Sequence, residues 1–145
     1  AKAFPLCDKI PLTDIGNRDA CYGGFGKEFV GFAASRDIRS SSIENIGEAE
    51  LARVYEFCLL AGNKEGTSSC IRHATNSLYW GGENDPASAI LFCKVVSDPF
   101  YQKACFTNVI GAVNYYMKDP SYKTEFCRDV PESYRKECVS KLIKK

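Results

Sequence analysis

The residues of this chain best equipped for chemistry are its eight cysteines, Cys7, Cys21, Cys58, Cys70, Cys93, Cys105, Cys127 and Cys138, and its single histidine, His73. Thiolates hold metals, act as nucleophiles or oxidise to disulfides, and their spacing selects among these. Zinc sites use short Cys–Cys spacings joined to further Cys or His. Here no CxxC occurs, and Cys70 stands near His73 without a second short-range ligand. The CxxCH of a c-type haem is also missing. Disulfides remain, and they place the chain in an oxidising compartment, periplasmic or secreted. The start Ala1-Lys2-Ala3 fits a mature chain after signal-peptide removal.

A Gly-rich run, Cys21 to Lys27, has the look of a phosphate loop, but Glu28 stands where a Ser or Thr would hold magnesium. Its glycines are expected instead to let two helices approach closely. Composition narrows the classes further. At 145 residues the chain is one domain, large enough to bury about two-thirds of its unfolded surface. Hydrophobic residues make up 45% and charged residues 26%, so it folds rather than staying disordered. A net charge of +1 argues against a nucleic-acid partner, and no apolar run reaches membrane-span length.

The elements that position the cysteines follow from a repeat. Cys58, Cys93 and Cys127 are spaced by 35 and 34 residues, and Cys70, Cys105 and Cys138 by 35 and 33. Two interleaved series of one period signal repeated helical hairpins. The flanks repeat as well. Asp85-Pro86 and Asp119-Pro120 each open a segment that closes on Phe-Cys, with Asp as N-cap and Pro at the first helical position. Pro99 and Pro131 open the segments carrying the second cysteines. Apolar spacing supports helices at Leu51, Val54, Tyr55 and Cys58; at Ile71, Ala74 and Leu78; at Phe106, Val109, Ile110, Val113 and Met117; and at Tyr22, Phe25, Phe29 and Phe32. Turns are expected at 62–66, 81–85 and 118–119. The fold class is thus all-α, stacked helical hairpins of an α-solenoid kind, each stapled by a disulfide. The staples pair each first cysteine with the next second one: Cys7–Cys21, Cys58–Cys70, Cys93–Cys105 and Cys127–Cys138. Residues 1–35 form an N-terminal cap, 36–50 an inserted polar loop, and 51–145 three hairpin units. The architecture from Leu51 onward resembles the Sel1-like and tetratricopeptide-like repeat proteins. That resemblance implies a binding or scaffold role and transfers no functional residue.

Any Ser-His-Asp or Cys-His catalysis would have to use His73, which aligns in the repeat with Gly24, Asn108 and Lys141. Such a tolerant position is expected on the solvent side of its helix, and no catalytic residue, cofactor or metal is assigned. Aromatics are more suggestive. Tyr79-Trp80 and Tyr115-Tyr116 fall near the ends of successive second helices, and adjacent helical residues point about 100° apart, so one of each pair leaves the core stripe. These four are the partner-binding candidates. Charge is uneven: residues 1–40 carry +1, 41–98 carry −4 and 99–145 carry +4. The expected function is a non-catalytic interaction module, or accessory subunit, that binds another protein. Two alternatives stand beside it: a carrier of a small apolar ligand, which needs a closed apolar pocket, and a hydrolase, which needs converging acids.

Overall fold

The computed structural model describes residues 4–33, 46–81 and 86–143. A 3-10 helix over Phe4–Lys9 precedes α1 (Ile15–Ala33), α2 (Glu48–Leu59), α3 (Lys64–Gly81), α4 (Ala87–Val95), α5 (Pro99–Tyr116), α6 (Pro120–Asp129) and α7 (Glu132–Leu142). No strand occurs among the described residues. The expected inserted loop lies outside them over residues 36–45, and α2 takes its last three residues, 48–50. The expected turn at 81–85 lies outside them from residue 82 onward.

The cap chemistry accounts for several helix starts. Asp98, which the repeat did not flag, accepts from the backbone N–H of Phe100 at 2.8 Å, and Pro99 takes the first helical position. Asp119 does the same for Ser121 at 2.9 Å, ahead of Pro120. Each such cap satisfies an otherwise orphaned N–H and contributes about 1 kcal/mol. Between α2 and α3 the turn is shorter than expected, because Asn63 caps α3 by accepting from Gly66 N–H at 2.7 Å. Gly62 enters that turn at φ 68°, where a side chain would be strained.

Helices α2–α3, α4–α5 and α6–α7 pack as hairpins, and the second helices also contact one another in a row, α1 on α3, α3 on α5, α5 on α7. Helix α2 packs on α4 on the other side. The four disulfides join Cys7 to Cys21, Cys58 to Cys70, Cys93 to Cys105 and Cys127 to Cys138, as the spacing predicted. Their Cα–Cα separations of 5.4–5.6 Å show that each staple fits its hairpin without moving the backbone. The predicted stripes of α2 and α3 are buried, and so is that of α5 except for Met117, which is half-buried and caps the helix end. Tyr134 of α7 stacks on Phe106 of α5, with ring centroids 4.5 Å apart, and so ties the last hairpin to its neighbour.

Helix α1 departs from its predicted stripe. Phe32 is 76% exposed, and Phe25 and Phe29 are half-buried at the edge of the core against Phe4 and Phe57, whereas Tyr22 of the same stripe is fully buried. The buried face of α1 holds Arg18, Tyr22, Gly23, Gly26 and Val30, and its glycines meet α3 at His73 and Cys70, as the Gly-rich run led one to expect. The α1–α3 contact is the most extensive in the fold, and it is closest where side chains are absent. A Cβ on Gly26 would collide with the Cys70 carbonyl, and one on Gly66 would lie 2.6 Å from the Tyr22 ring.

Candidate functional site

The close α1–α3 crossing brings together the residue types of a hydrolase triad. Asp19, one turn before Gly23, accepts from Ser69 Oγ at 2.5 Å, contacts His73 Nε2 at 3.2 Å, and pairs with Arg72. Burial opposes its ionisation, but the hydrogen bonds from Arg72, Ser69 and His73 prevail and hold the carboxyl well below the usual aspartate range. The order of contacts decides the chemistry. In a triad the imidazole stands between hydroxyl and carboxylate and takes the serine proton. Here the carboxylate stands between them, so Ser69 gives its hydrogen bond to Asp19 and the imidazole lies on the far side. The cluster works as a clasp between helices.

His73 is therefore not on the solvent side of α3, as its place in the repeat suggested. Its side chain is 19% exposed and covers Gly23. A missing Cβ across the helix interface made room for the ring, which comparison with Asn108 and Lys141 along the repeat could not reveal.

A second polar cluster locks the first two units together. Arg18, 4% exposed, donates from Nη1 to the carbonyl of Ile10 at 2.7 Å and from Nε and Nη2 to Glu65 at 3.0–3.1 Å. Tyr22 donates its hydroxyl to Asp8 at 2.5 Å and receives the Asn63 amide at 3.2 Å. The guanidinium thus ties the carbonyls of Cys7 and Ile10 to Glu65 of α3, as a five-donor group can. Sequence reading missed both clusters, because their members are up to 54 positions apart and no local motif links them.

The aromatic candidates separate by environment. Tyr79 is 1% exposed and packs on Tyr116 with centroids 6.2 Å apart, so it belongs to the core and is no surface anchor. The side chain of Trp80 lies outside the described residues. Tyr115 is 72% exposed and Tyr116 43%, and their rings meet edge to face at 4.7 Å. The burial of Tyr79 follows from the stripe Ile71, Ala74, Leu78, which Tyr79 extends by one position to the side.

Tyr116 also lines an open groove of about 640 Å3 that crosses α3, α5 and α7, together with Asn76, Thr107, Asn108 and Lys141. Asn108 donates to Asn76 at 2.8 Å across its floor. Lys141 also lines a second cleft, of about 270 Å3, with Asn114, Pro120, Lys123 and Leu142. The two adjoin at Lys141, giving a trough over α3, α5 and α7 whose second part is bordered by α6. A third groove, of about 370 Å3, lies between α1 and α2 and is lined by Phe29, Phe32, Phe57 and Arg53. No helix among the described residues is long and apolar enough to cross a membrane, and no group of acids, His and Cys among them could hold a metal ion. Comparison with known protein families, curated proteins and solved structures finds no match.

Proposed function

We propose that this chain is an extracytoplasmic interaction module that docks another protein in the trough across α3, α5 and α7. The observation that carries the reading is Tyr115–Tyr116 standing exposed beside an open groove whose floor is rigid helix. Tyrosine anchors interfaces well, since it buries a large rigid surface and keeps a hydroxyl for a hydrogen bond. Four disulfides support an oxidising location, because they stabilise small domains there and are rare in reducing compartments. They also hold each hairpin rigid, which lowers the ordering cost of binding.

The test is native purification of the whole chain and of Tyr115→Ala/Tyr116→Ala, with mass spectrometry of whatever co-purifies. A stoichiometric partner is expected on the unaltered chain, bound more weakly by the double variant through loss of about 2 kcal/mol or more. Tyr115 is exposed, and its loss should change stability by no more than about 0.5 kcal/mol. Tyr116 also covers Tyr79, so unfolding is measured on each single variant and affinity is compared for the folded fraction. A partner retained equally by both chains overturns the placement. A second reading, carriage of a small apolar ligand, rests on the groove at Phe29, Phe32 and Phe57; a ligand released there on denaturation would favour it.

A further inference from the structure

We propose, resting on the docking role of the trough, that its occupant is an acidic, extended protein segment whose carboxylates are read by Lys141 and Lys123. The two grooves meet at Lys141, which lines both, and among the described residues no aspartate or glutamate lines either one. The lining is otherwise amide, aromatic and aliphatic: Asn76, Asn108, Asn114, Tyr116 and Leu142. A cationic strip with neutral walls attracts carboxylates and repels basic chains. The described part of this segment, residues 99–143, holds seven Lys and Arg against five Asp and Glu, a balance of +2.

Two acids stand close to the lining, Asp119, which caps α6 beside Pro120, and Glu137. Glu137 accepts from Thr107 Oγ1 at 3.1 Å and from Lys141 Nζ at 2.7 Å, and these hydrogen bonds, Lys141's first, hold its carboxyl below the usual glutamate range. Lys141 and Glu137 are four apart on one helix and both partly exposed. Such a pair is weak in water and exchanges readily for an incoming carboxylate. Among the described residues, Lys123 Nζ donates one long hydrogen bond, to Asn114 Oδ1 at 3.4 Å. Between the lysines and Tyr116, the Asn76–Asn108 pair presents further amide atoms to the backbone of an extended chain.

The probe is a fluorescein-labelled peptide repeating Glu-Phe-Gly, titrated with the whole oxidised chain and followed by anisotropy. Its counterpart repeats Lys-Phe-Gly. The acidic peptide is expected to bind, and to weaken as salt rises above about 0.1 M, where screening becomes short-ranged. Lys123→Glu/Lys141→Glu is expected to weaken it by about tenfold or more, whereas Lys94→Glu, on α4 in the other layer, leaves it unchanged. Circular dichroism on each variant checks folding, since Lys94 and Lys141 are exposed and Lys123 half-buried. Equal binding of the basic peptide, or of the acidic peptide to the double lysine variant, overturns the inference. So does tighter binding of a heparin fragment that the same lysine variant abolishes, which would give the trough to a sulfated glycan. A different outcome strikes the docking role itself: undiminished acidic-peptide binding by Tyr115→Ala/Tyr116→Ala.

Discussion

Replacing Cys58 and Cys70 together by alanine is expected to destabilise the chain by about 3–5 kcal/mol. The staple closes a short hairpin loop, which in the chain-entropy model is worth about 3 kcal/mol, and removal of a native disulfide from a small domain costs about 2–5 kcal/mol. Both cysteines are fully buried where α2, α3 and α1 meet, so the lost sulfurs also leave a cavity. The Gly26 contact rests on the Cys70 backbone, so slackening this staple also loosens the tightest helix crossing. Urea unfolding of the variant and of the unaltered chain under oxidising conditions reads the difference. Peptide mapping without reduction should recover Cys58 joined to Cys70. A stability loss under about 1 kcal/mol would contradict the view that each hairpin depends on its own staple.

The second large effect is expected at Gly26. In helices alanine is worth up to about 1 kcal/mol over glycine, so Gly24→Ala, with nothing within 4 Å of its Cβ, should stabilise by about 0.5–1 kcal/mol. Gly26→Ala carries the same propensity gain but drives its Cβ into the Cys70 carbonyl, with Cys70 Cα at 3.1 Å. Backbone cannot rotate away as a side chain can. Helix α1 must lift off α3, and overpacking of this kind costs about 1–3 kcal/mol, occasionally more. A net loss of about 2 kcal/mol is expected, opposite in sign to Gly24→Ala. Equal stabilisation by both alanines would contradict the close crossing.

These two sites show where the sequence was readable and where it was not. The cysteine period and the Asp-Pro starts belong to residue types with few structural options. A proline suits the first turn, and the regular cysteine spacing sets each pair within one hairpin, so the starts of α5 to α7 and all four bridges were legible. In α4 Pro86 takes the N-cap position instead of the first helical one, and Asp85 lies outside the described residues. Helix α1 was legible in part. The glycines of the 21–27 run were expected to let two helices approach closely, and Gly23 and Gly26 do so against His73 and Cys70. Of the apolar stripe, Tyr22 is buried while Phe32 is exposed. The repeat did not show which helix face meets those glycines, so His73 was expected on the solvent side although its ring lies over Gly23. The same gap hid Asp19 and Arg18, since only the crossing brings Ser69, Arg72 and Glu65 to them.

The aromatic surface was half legible for a related reason. Paired aromatics at a helix end announce that one ring leaves the core without saying which one. Tyr79 went inward and Tyr115 outward. The trough itself had no signature at all, because Asn76, Asn108 and Lys141 become neighbours only when three second helices lie side by side. A groove between helices is a property of their packing, and single-helix patterns carry no record of it.

Amide hydrogen exchange of the chain, alone and saturated with its native partner, tests the docking account most directly. Helical amides at the trough exchange through local opening, which a bound partner suppresses. Slowed exchange is predicted over residues 104–116 of α5 and 137–143 at the end of α7, with little change in α2 and α4. Protection confined to α2 and α4, with the trough unaffected, would contradict it.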